Sequence, residues 1–249
     1  MVITSNLFGL LKKIKNNPKV YLGKSSLFIL DHFIGGYSGK EYEIEGWSRT
    51  STLCLRKFQK FIEGIYNLPA TTKGVCRIIA ENTTNDEEAF YKFFELLEKY
   101  LEQAHPNLAC EFSADERTDI YIPSVKISAS GQAMTISTDL LKLLKVIKAR
   151  PGMYLGGVSL KVLNHFINGY LFKESEIGGD GRIPVVCFQG FQEYIENAYN
   201  LQATTKGVFT IIAENTTNDE EAFHKFFELL EEYLECTHPD LACEFKASL

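Results

Sequence analysis

The chain has 249 residues, of which 45% are hydrophobic and 23% are charged, and its formal net charge is -6 at pH 7. This is an ordinary globular composition, and the length suffices for one large domain or for two domains of about 100–150 residues. The acidic balance argues against a nucleic-acid-binding protein, and the sequence has no run of about 18 apolar residues that would span a membrane.

The first predicted helix covers roughly residues 5–16. Its apolar residues recur at the spacing of one helical face: Leu7, Leu10, Leu11 and Ile14. Pro18 is expected to stop this helix, because proline lacks a backbone N–H and clashes with the preceding turn. Residues 21–23 are then expected to form a turn in which Gly23 takes a positive φ.

The second helix is predicted to begin at Ser25 or Ser26 and to run to about Tyr37. The pair Gly35-Gly36 is expected to end it or to loosen its last turn, because glycine is a poor helix former and a common helix terminator. A variable polar stretch is expected to follow, from about residue 38 to about residue 52.

Three further helices are predicted before residue 112. The third contains Leu55, Phe58 and Ile62, and a short fourth begins near Val75. The fifth is the clearest, with a broad apolar face formed by Phe90, Phe93, Phe94, Leu97 and Leu101. The pattern Thr84-x-x-Glu87 predicts a capping box at its start, and the helix is expected to continue to about residue 103.

A long internal repeat determines the domain organisation. The motif Pro18-Lys-Val-Tyr-Leu-Gly recurs 133 residues later as Pro151-Gly-Met-Tyr-Leu-Gly, and the same offset, without a gap, relates residues 70–112 to residues 203–245. These last two stretches differ at only seven positions. A period this long indicates a duplicated domain, since solenoid repeats span about 20–50 residues.

The segment between the two copies begins with polar residues and ends in Ser128-Ala-Ser-Gly-Gln. A short strand is possible at Ile120, Ile122, Val125 and Ile127, although Pro123 would confine it to a sheet edge. Strand propensity is otherwise low. We therefore predict a mainly all-α protein with two tandem homologous helical-bundle domains, residues 1–112 and 138–249, joined by a linker at 113–137.

Residues with possible catalytic or metal-binding chemistry are few. His32 and His165 occupy equivalent positions, and general-base catalysis would require a nearby carboxylate or nucleophile. The motif His105-Pro-Asn-Leu-Ala-Cys110 recurs as His238-Pro-Asp-Leu-Ala-Cys243, without the further ligands that zinc requires. We therefore expect no cofactor and no metal, and we rank an enzyme that uses His32 or His165 as a less favoured alternative.

The six cysteines and the N terminus both bear on localisation. No CxxC is present, so we expect reduced and largely buried thiols. The N terminus is a poor signal peptide, because its lysines follow the apolar run instead of preceding it. Together these features predict a cytoplasmic protein.

The fifth helix of each copy carries a candidate partner-binding surface. Glutamates recur every seven residues on the side opposite the apolar face, and they are Glu88, Glu95 and Glu102 in the first copy and Glu221, Glu228 and Glu235 in the second. A solvated helix face is the simpler interpretation. The functional interpretation is a docking surface for a basic protein.

Several motifs resemble those of small bacterial immunity proteins that accompany polymorphic or contact-dependent toxins. In the second copy they are Arg150-Pro151-Gly152-Met153-Tyr154-Leu155-Gly156, the stretch from Ser159-Leu160 to Gly169-Tyr170, and the stretch from Asp219-Glu220-Glu221-Ala222-Phe223 to Leu230. The first copy departs from the first of these with Asn17-Pro18-Lys19-Val20. The resemblance implies toxin neutralisation by binding, with no cofactor. It implies no individual binding residues.

The sequence thus leads us to expect an immunity-type protein that binds and blocks a cognate toxin domain, itself basic. A non-catalytic helical adaptor with another protein partner is the alternative. Both hypotheses invoke a protein partner, with neither nucleic acid nor a membrane, and both leave the oligomeric state open.

Overall fold

The computed structural model describes residues 5–45, 52–113, 138–178, 189–202 and 204–247. In this part of the chain all of the regular secondary structure is helical, with fourteen helices and no strand, which confirms the all-α prediction. The chain divides into two compact units, Met1–Ile122 and Pro123–Leu249, hereafter unit 1 and unit 2. Most of the predicted linker, with its possible strand at residues 120–127, lies outside the described residues.

Unit 1 contains seven helices: α1 (Ser5–Asn16), α2 (Pro18–Leu22), α3 (Leu27–Glu45), α4 (Thr52–Ile65), α5 (Val75–Glu81), α6 (Asp86–Ala104) and α7 (Pro106–Ser113). Unit 2 contains α8 (Thr138–Ala149), α9 (Pro151–Leu155), α10 (Leu160–Gly178), α11 (Gln189–Ala198), α12 (Val208–Glu214), α13 (Asp219–Thr237) and α14 (Pro239–Lys246). The bounds of six helix pairs are related by the same 133 residues as the sequence repeat, and so are the last residues of α4 and α11.

Each unit buries its own core. In unit 1 the buried face of α1 comprises Leu7, Leu10, Leu11 and Ile14. Phe33 of α3 and the aromatic face of α6 are buried in the same unit. In unit 2 the core gathers residues from all seven helices, including Phe191 of α11, Phe226 of α13 and Phe245 of α14. Phenylalanine rings contact edge to face in both units, as at Phe93–Phe94 (5.2 Å) and Phe226–Phe227 (5.1 Å between centroids).

Pro18 begins the short helix α2. The prediction of a turn at residues 21–23 is therefore wrong for Tyr21 and Leu22. Proline suits the first helical position, since its fixed φ is helical and its missing N–H would lack an intrahelical partner there. Tyr21 and Leu22 therefore belong to α2. Gly23 ends this helix with a φ of 78°, which confirms the predicted left-handed conformation.

The expectation that Gly35-Gly36 ends the second long helix is also wrong, because α3 continues to Glu45. Packing offsets the low helix propensity of glycine here. Tyr37 is fully buried just after the glycine pair, and Lys40 and Glu41 one turn later are buried as well. The Lys40 ammonium contacts the Glu43 carboxylate at 3.3 Å. The first part of the predicted variable stretch is therefore helical.

A helix that the sequence analysis did not predict closes each unit. Residues 106–113 and 239–246, which follow the predicted end of the fifth helix, form α7 and α14. Phe112 and Phe245 are buried on these helices. Phe112 lies near Phe94, and the Lys15 ammonium lies 5.7 Å from the centre of the Phe112 ring. The last helix therefore completes the apolar core of its unit.

Candidate partner-binding surface

The start of α6 is fixed by side-chain caps that lie one residue beyond the predicted capping box. Asn85 is the N-cap, and its side-chain oxygen accepts a hydrogen bond from the Glu88 N–H at 2.9 Å. The Glu88 carboxylate accepts hydrogen bonds from the Thr84 backbone N–H and hydroxyl. Glu88, and not Glu87, is therefore the capping carboxylate. Unit 2 repeats this arrangement with Thr217, Asn218 and Glu221.

The same turn joins α6 to α3. Asp86 accepts hydrogen bonds from the Ser26 hydroxyl and, at 2.9 Å, from the Phe28 N–H. The carboxylate thus satisfies a backbone donor at the start of α3 that would otherwise lack a partner within that helix. In unit 2 Asp219 does the same for Ser159 and for the Lys161 N–H, at 3.0 Å. These contacts fix the rotation of α6 and α13, and hence the side of each helix that faces solvent.

All six glutamates of the predicted stripes are exposed, on the side opposite the buried aromatic face. Most of them nevertheless interact with neighbouring side chains. In unit 1 Glu88 caps α6, and Glu95 lies between Lys92 (2.9 Å) and Lys99 (2.7 Å). These contacts lower the pKa of Glu95, chiefly through the hydrogen bond from Lys99. Two lysines therefore offset the charge at the centre of the first stripe.

The stripe in unit 2 is more strongly acidic than its counterpart. Glu232 replaces Lys99, so the position beside Glu228 carries a negative charge. Glu228 pairs with Lys225 at 3.0 Å, and Glu235 pairs with Lys246 of α14. The Glu232 carboxylate accepts a hydrogen bond from the Tyr194 hydroxyl at 3.1 Å. Burial and this hydrogen bond raise the pKa of Tyr194 to about 12. The two stripes therefore share geometry but differ in charge.

The helices beside the stripes carry charges that the sequence analysis overlooked. On α4, Arg56, Lys57 and Lys60 are exposed. At the equivalent positions α11 has Gln189, Gly190 and Glu193, of which Glu193 is exposed. A residue-by-residue comparison of the two copies would have found this difference, because Lys60 and Glu193 are separated by the same 133 residues as the repeat.

The copies also differ in total charge. Residues 1–112 contain 14 basic and 13 acidic residues, whereas residues 138–249 contain 10 basic and 16 acidic residues. The formal net charges are therefore +1 and -6. Almost all of the net negative charge of the chain therefore lies in the second copy. The two copies are not equivalent acidic surfaces.

The His32 side chain packs against a neighbouring aromatic ring. Its ring is half-buried and contacts Phe28 edge to face, with ring centres 4.7 Å apart. Burial lowers the pKa of His32, and the nearby Asp31 charge acts in the opposite direction. Burial also raises the pKa of the Cys76 thiol, and a hydrogen bond with Asp31 adds to this effect. A thiol with a raised pKa is a poor nucleophile. In unit 2 the equivalents of Asp31 and Cys76 are Asn164 and Phe209.

The histidine and cysteine motifs lie where α6 meets α7 and where α13 meets α14. The His105 ring lies 5.9 Å from Tyr100, and the His238 ring lies 6.3 Å from Tyr233. The described residues include no group of three or more potential metal ligands.

Cys110, Cys236 and Cys243 are exposed, and Cys76 is buried. The expectation of largely buried thiols is therefore wrong for these three, because α7 and α14 turn Cys110 and Cys243 outward and Cys236 lies on the exposed side of α13.

Beyond the stripes, unit 2 has an open groove. It lies between α8 and α14, has a volume of about 190 Å³ and is lined mainly by apolar side chains such as Leu141, Leu241 and Phe245.

None of the described helices is long and apolar enough to cross a membrane. Comparisons with protein-family models, with curated proteins and with solved structures found no match for this chain.

Proposed function

We propose that this chain is an immunity-type protein that neutralises a basic toxin domain by binding it, chiefly through the second copy. The observation that carries the proposal is the concentration of negative charge on one surface of unit 2. Four exposed glutamates lie on two neighbouring helices: Glu193 on α11, and Glu228, Glu232 and Glu235 on α13. The resemblance of the sequence motifs to immunity proteins supports the same conclusion.

Charge complementarity supplies the mechanism of neutralisation. A toxin domain that attacks nucleic acid needs a basic surface to bind phosphate groups. An acidic inhibitor is drawn to that surface and associates faster than a neutral protein would. Once bound, it covers the surface that the nucleic acid would contact. This mechanism requires no catalytic group and no cofactor in the inhibitor.

Identification of the toxin is the first step of the test. The chain is cross-linked in its native cells, and the captured proteins are identified by mass spectrometry. Each captured protein is then expressed alone and together with the chain. We expect one of them to stop growth when expressed alone and to be harmless in the presence of the chain. If no captured protein is toxic, the immunity proposal is wrong, and a toxin-independent adaptor becomes the better interpretation.

Charge reversal then locates the binding surface. The double variant Glu228→Lys/Glu235→Lys leaves the helix cap at Glu221 intact, and Glu95→Lys/Glu102→Lys is its matched control in unit 1. We expect the unit 2 variant to slow association with the toxin domain about tenfold at low salt, because it reverses the attracting charge. The unit 1 variant should have a much smaller effect. Equal effects, measured by surface plasmon resonance at two salt concentrations, would refute the assignment to unit 2.

A further inference from the structure

Equivalent surfaces of the two units differ in charge at four positions, although both keep two glutamates, Glu95 and Glu102 in unit 1 and Glu228 and Glu235 in unit 2. We define the basic face of unit 1 as Arg56, Lys57 and Lys60 of α4 together with Lys99 of α6. We define the acidic face of unit 2 as Glu193 of α11 together with Glu228, Glu232 and Glu235 of α13. All of these side chains are at least partly exposed to solvent. Two of the four basic positions, Lys60 and Lys99, become Glu193 and Glu232 in the second copy.

The two faces share one helical framework. In unit 1, Phe61 of α4 contacts Tyr100 of α6, with ring centres 5.6 Å apart. In unit 2 the equivalent rings, Tyr194 and Tyr233, are 5.7 Å apart. The hydrogen bond from Tyr194 to Glu232 places the α13 carboxylate directly beside α11. The two helices of each face therefore pack in the same way. The faces differ in charge at the four basic positions, two of which become acidic and two uncharged in unit 2.

We propose that the basic face of one molecule docks on the acidic face of a second molecule of the same chain. Charge complementarity supports this occupant, because each molecule carries both a basic and an acidic face. Two molecules of a net acidic protein would otherwise repel each other. The sign difference at Lys60/Glu193 and Lys99/Glu232 turns that repulsion into local attraction when opposite faces meet.

The contact joins two different surfaces, so it is heterologous, or head to tail. Each molecule has one face of each sign and can take part in two such contacts. A face formed by two helices is small, and we therefore expect weak, reversible association that is seen only at about 100 µM and above. Exposed charge pairs are screened by salt over about 10 Å at 0.1 M ionic strength, so the association should be lost at high salt.

The test uses the purified full chain alone, so its outcome is independent of whether a toxin partner exists. Sedimentation velocity is measured over a range of concentrations at low and high salt. We expect the weight-average mass to rise with concentration at low salt and to stay at the monomer value at high salt. A monomer under all conditions, or an association that salt does not weaken, overturns the proposal.

Charge-swap variants decide whether the two faces contact each other. Glu193→Lys/Glu232→Lys and Lys60→Glu/Lys99→Glu should each weaken association about tenfold or more, since each places like charges opposite one another. The variant with all four changes keeps the net charge of the natural chain and should regain the association. The control Asp240→Lys/Glu244→Lys changes the net charge as much as the first variant does, but at exposed positions of α14.

Two outcomes of this series would contradict docking between the faces. If the four-residue variant remains as weakly associated as either double variant, the faces do not meet. If the α14 control weakens association as much as Glu193→Lys/Glu232→Lys, net charge alone controls association. Circular dichroism melting of each variant verifies that the fold is retained. Because all the altered side chains are exposed, we expect little change in melting temperature.

Discussion

At the scale of single residues, the start of the fifth helix shows how polar side chains define a helix boundary. Asn85 and Glu88 form reciprocal contacts with the backbone at Glu88 and Thr84, and Asn218 and Glu221 repeat them. These side chains satisfy N–H groups that have no partner within the helix. The carboxylates also lie at the positive end of the helix dipole. The strength of each cap therefore depends on the ionisation of one carboxyl group, that of Glu88 or Glu221.

This coupling predicts a pH dependence of stability. Hydrogen bonds from Thr84 lower the pKa of Glu88 below its ordinary value of 4.5. A carboxyl group with a lower pKa in the folded state stabilises the fold above its unfolded pKa, and this contribution is lost as the pH falls through the folded pKa. We therefore expect Glu88→Gln to be less stable than the natural chain at about pH 7 and nearly as stable at about pH 3.

Urea unfolding followed by circular dichroism at the two pH values measures this difference. Glu221→Gln is the matched variant in unit 2, where Thr217 lowers the pKa of Glu221 in the same way. An equal loss of stability at both pH values, in either variant, would show that the charge of the capping carboxylate is unimportant.

At the scale of the helix, α3 shows that packing can override a local terminator. Gly35 and Gly36 lie within a 19-residue helix, although glycine costs about 1 kcal/mol relative to alanine in a helix interior. The residues on both sides of the pair, Phe33, Ile34 and Tyr37, are buried. Their contacts hold the helical conformation across the glycines. The two glycines themselves differ, because Gly35 is exposed and Gly36 is buried.

This difference predicts opposite consequences for two similar substitutions. Gly35→Ala should stabilise unit 1 by about 0.5–1 kcal/mol, because alanine loses less backbone entropy on helix formation and its methyl group projects into solvent. Gly36→Ala is the control, and it should give a smaller gain or a loss, because a methyl group there would enter a packed region. Chemical unfolding monitored by circular dichroism measures both. A larger gain for Gly36→Ala than for Gly35→Ala would contradict the explanation.

At the scale of the whole molecule, the chain divides into two compact units, each with its own buried apolar residues. The core of unit 2 contains only residues of α8 to α14, and Phe226 is fully buried within it. Phe93 is its equivalent in unit 1, with 1% of its surface exposed. A domain with its own core is able to unfold on its own.

We therefore expect that truncation of either ring destabilises only the unit that contains it. Phe226→Ala should destabilise unit 2 by about 3–5 kcal/mol and leave unit 1 unchanged, because the lost contacts all lie in one core. Phe93→Ala should do the reverse. Hydrogen exchange with mass spectrometry locates the lost protection in the sequence. If either variant loses protection equally in both units, the units do not unfold independently.

The charge distribution is the second property that belongs to the whole molecule. The sequence repeat suggested two equivalent stripes, yet the net charges of the copies differ by seven. The difference is concentrated where α11 and α13 lie side by side. Toxin binding by the acidic face and head-to-tail docking of the two faces are both consequences that we propose for this asymmetry, and they are tested by separate experiments.

The sequence by itself determined much of the architecture. The apolar spacing in Leu7, Leu10, Leu11 and Ile14 is a local property of a helix, and it correctly predicted the buried face of α1. The fifth helix was recognised in the same way, and its bounds were predicted to within a few residues. The repeat correctly suggested that corresponding segments of the two copies adopt the same helices. These features depend on residues that are close in the sequence, and so they can be predicted from it.

The tertiary structure decided the features that depend on distant neighbours. The continuation of α3 through Gly35 and Gly36 requires partners for the buried residues around them, and these partners come from other helices. Exposure of Cys110 required the helix at 106–113, which is stabilised by packing against the core of unit 1. The charged faces arise only where α4 lies beside α6 and α11 beside α13. No local pattern encodes that proximity, because helix packing joins residues that are far apart in the chain.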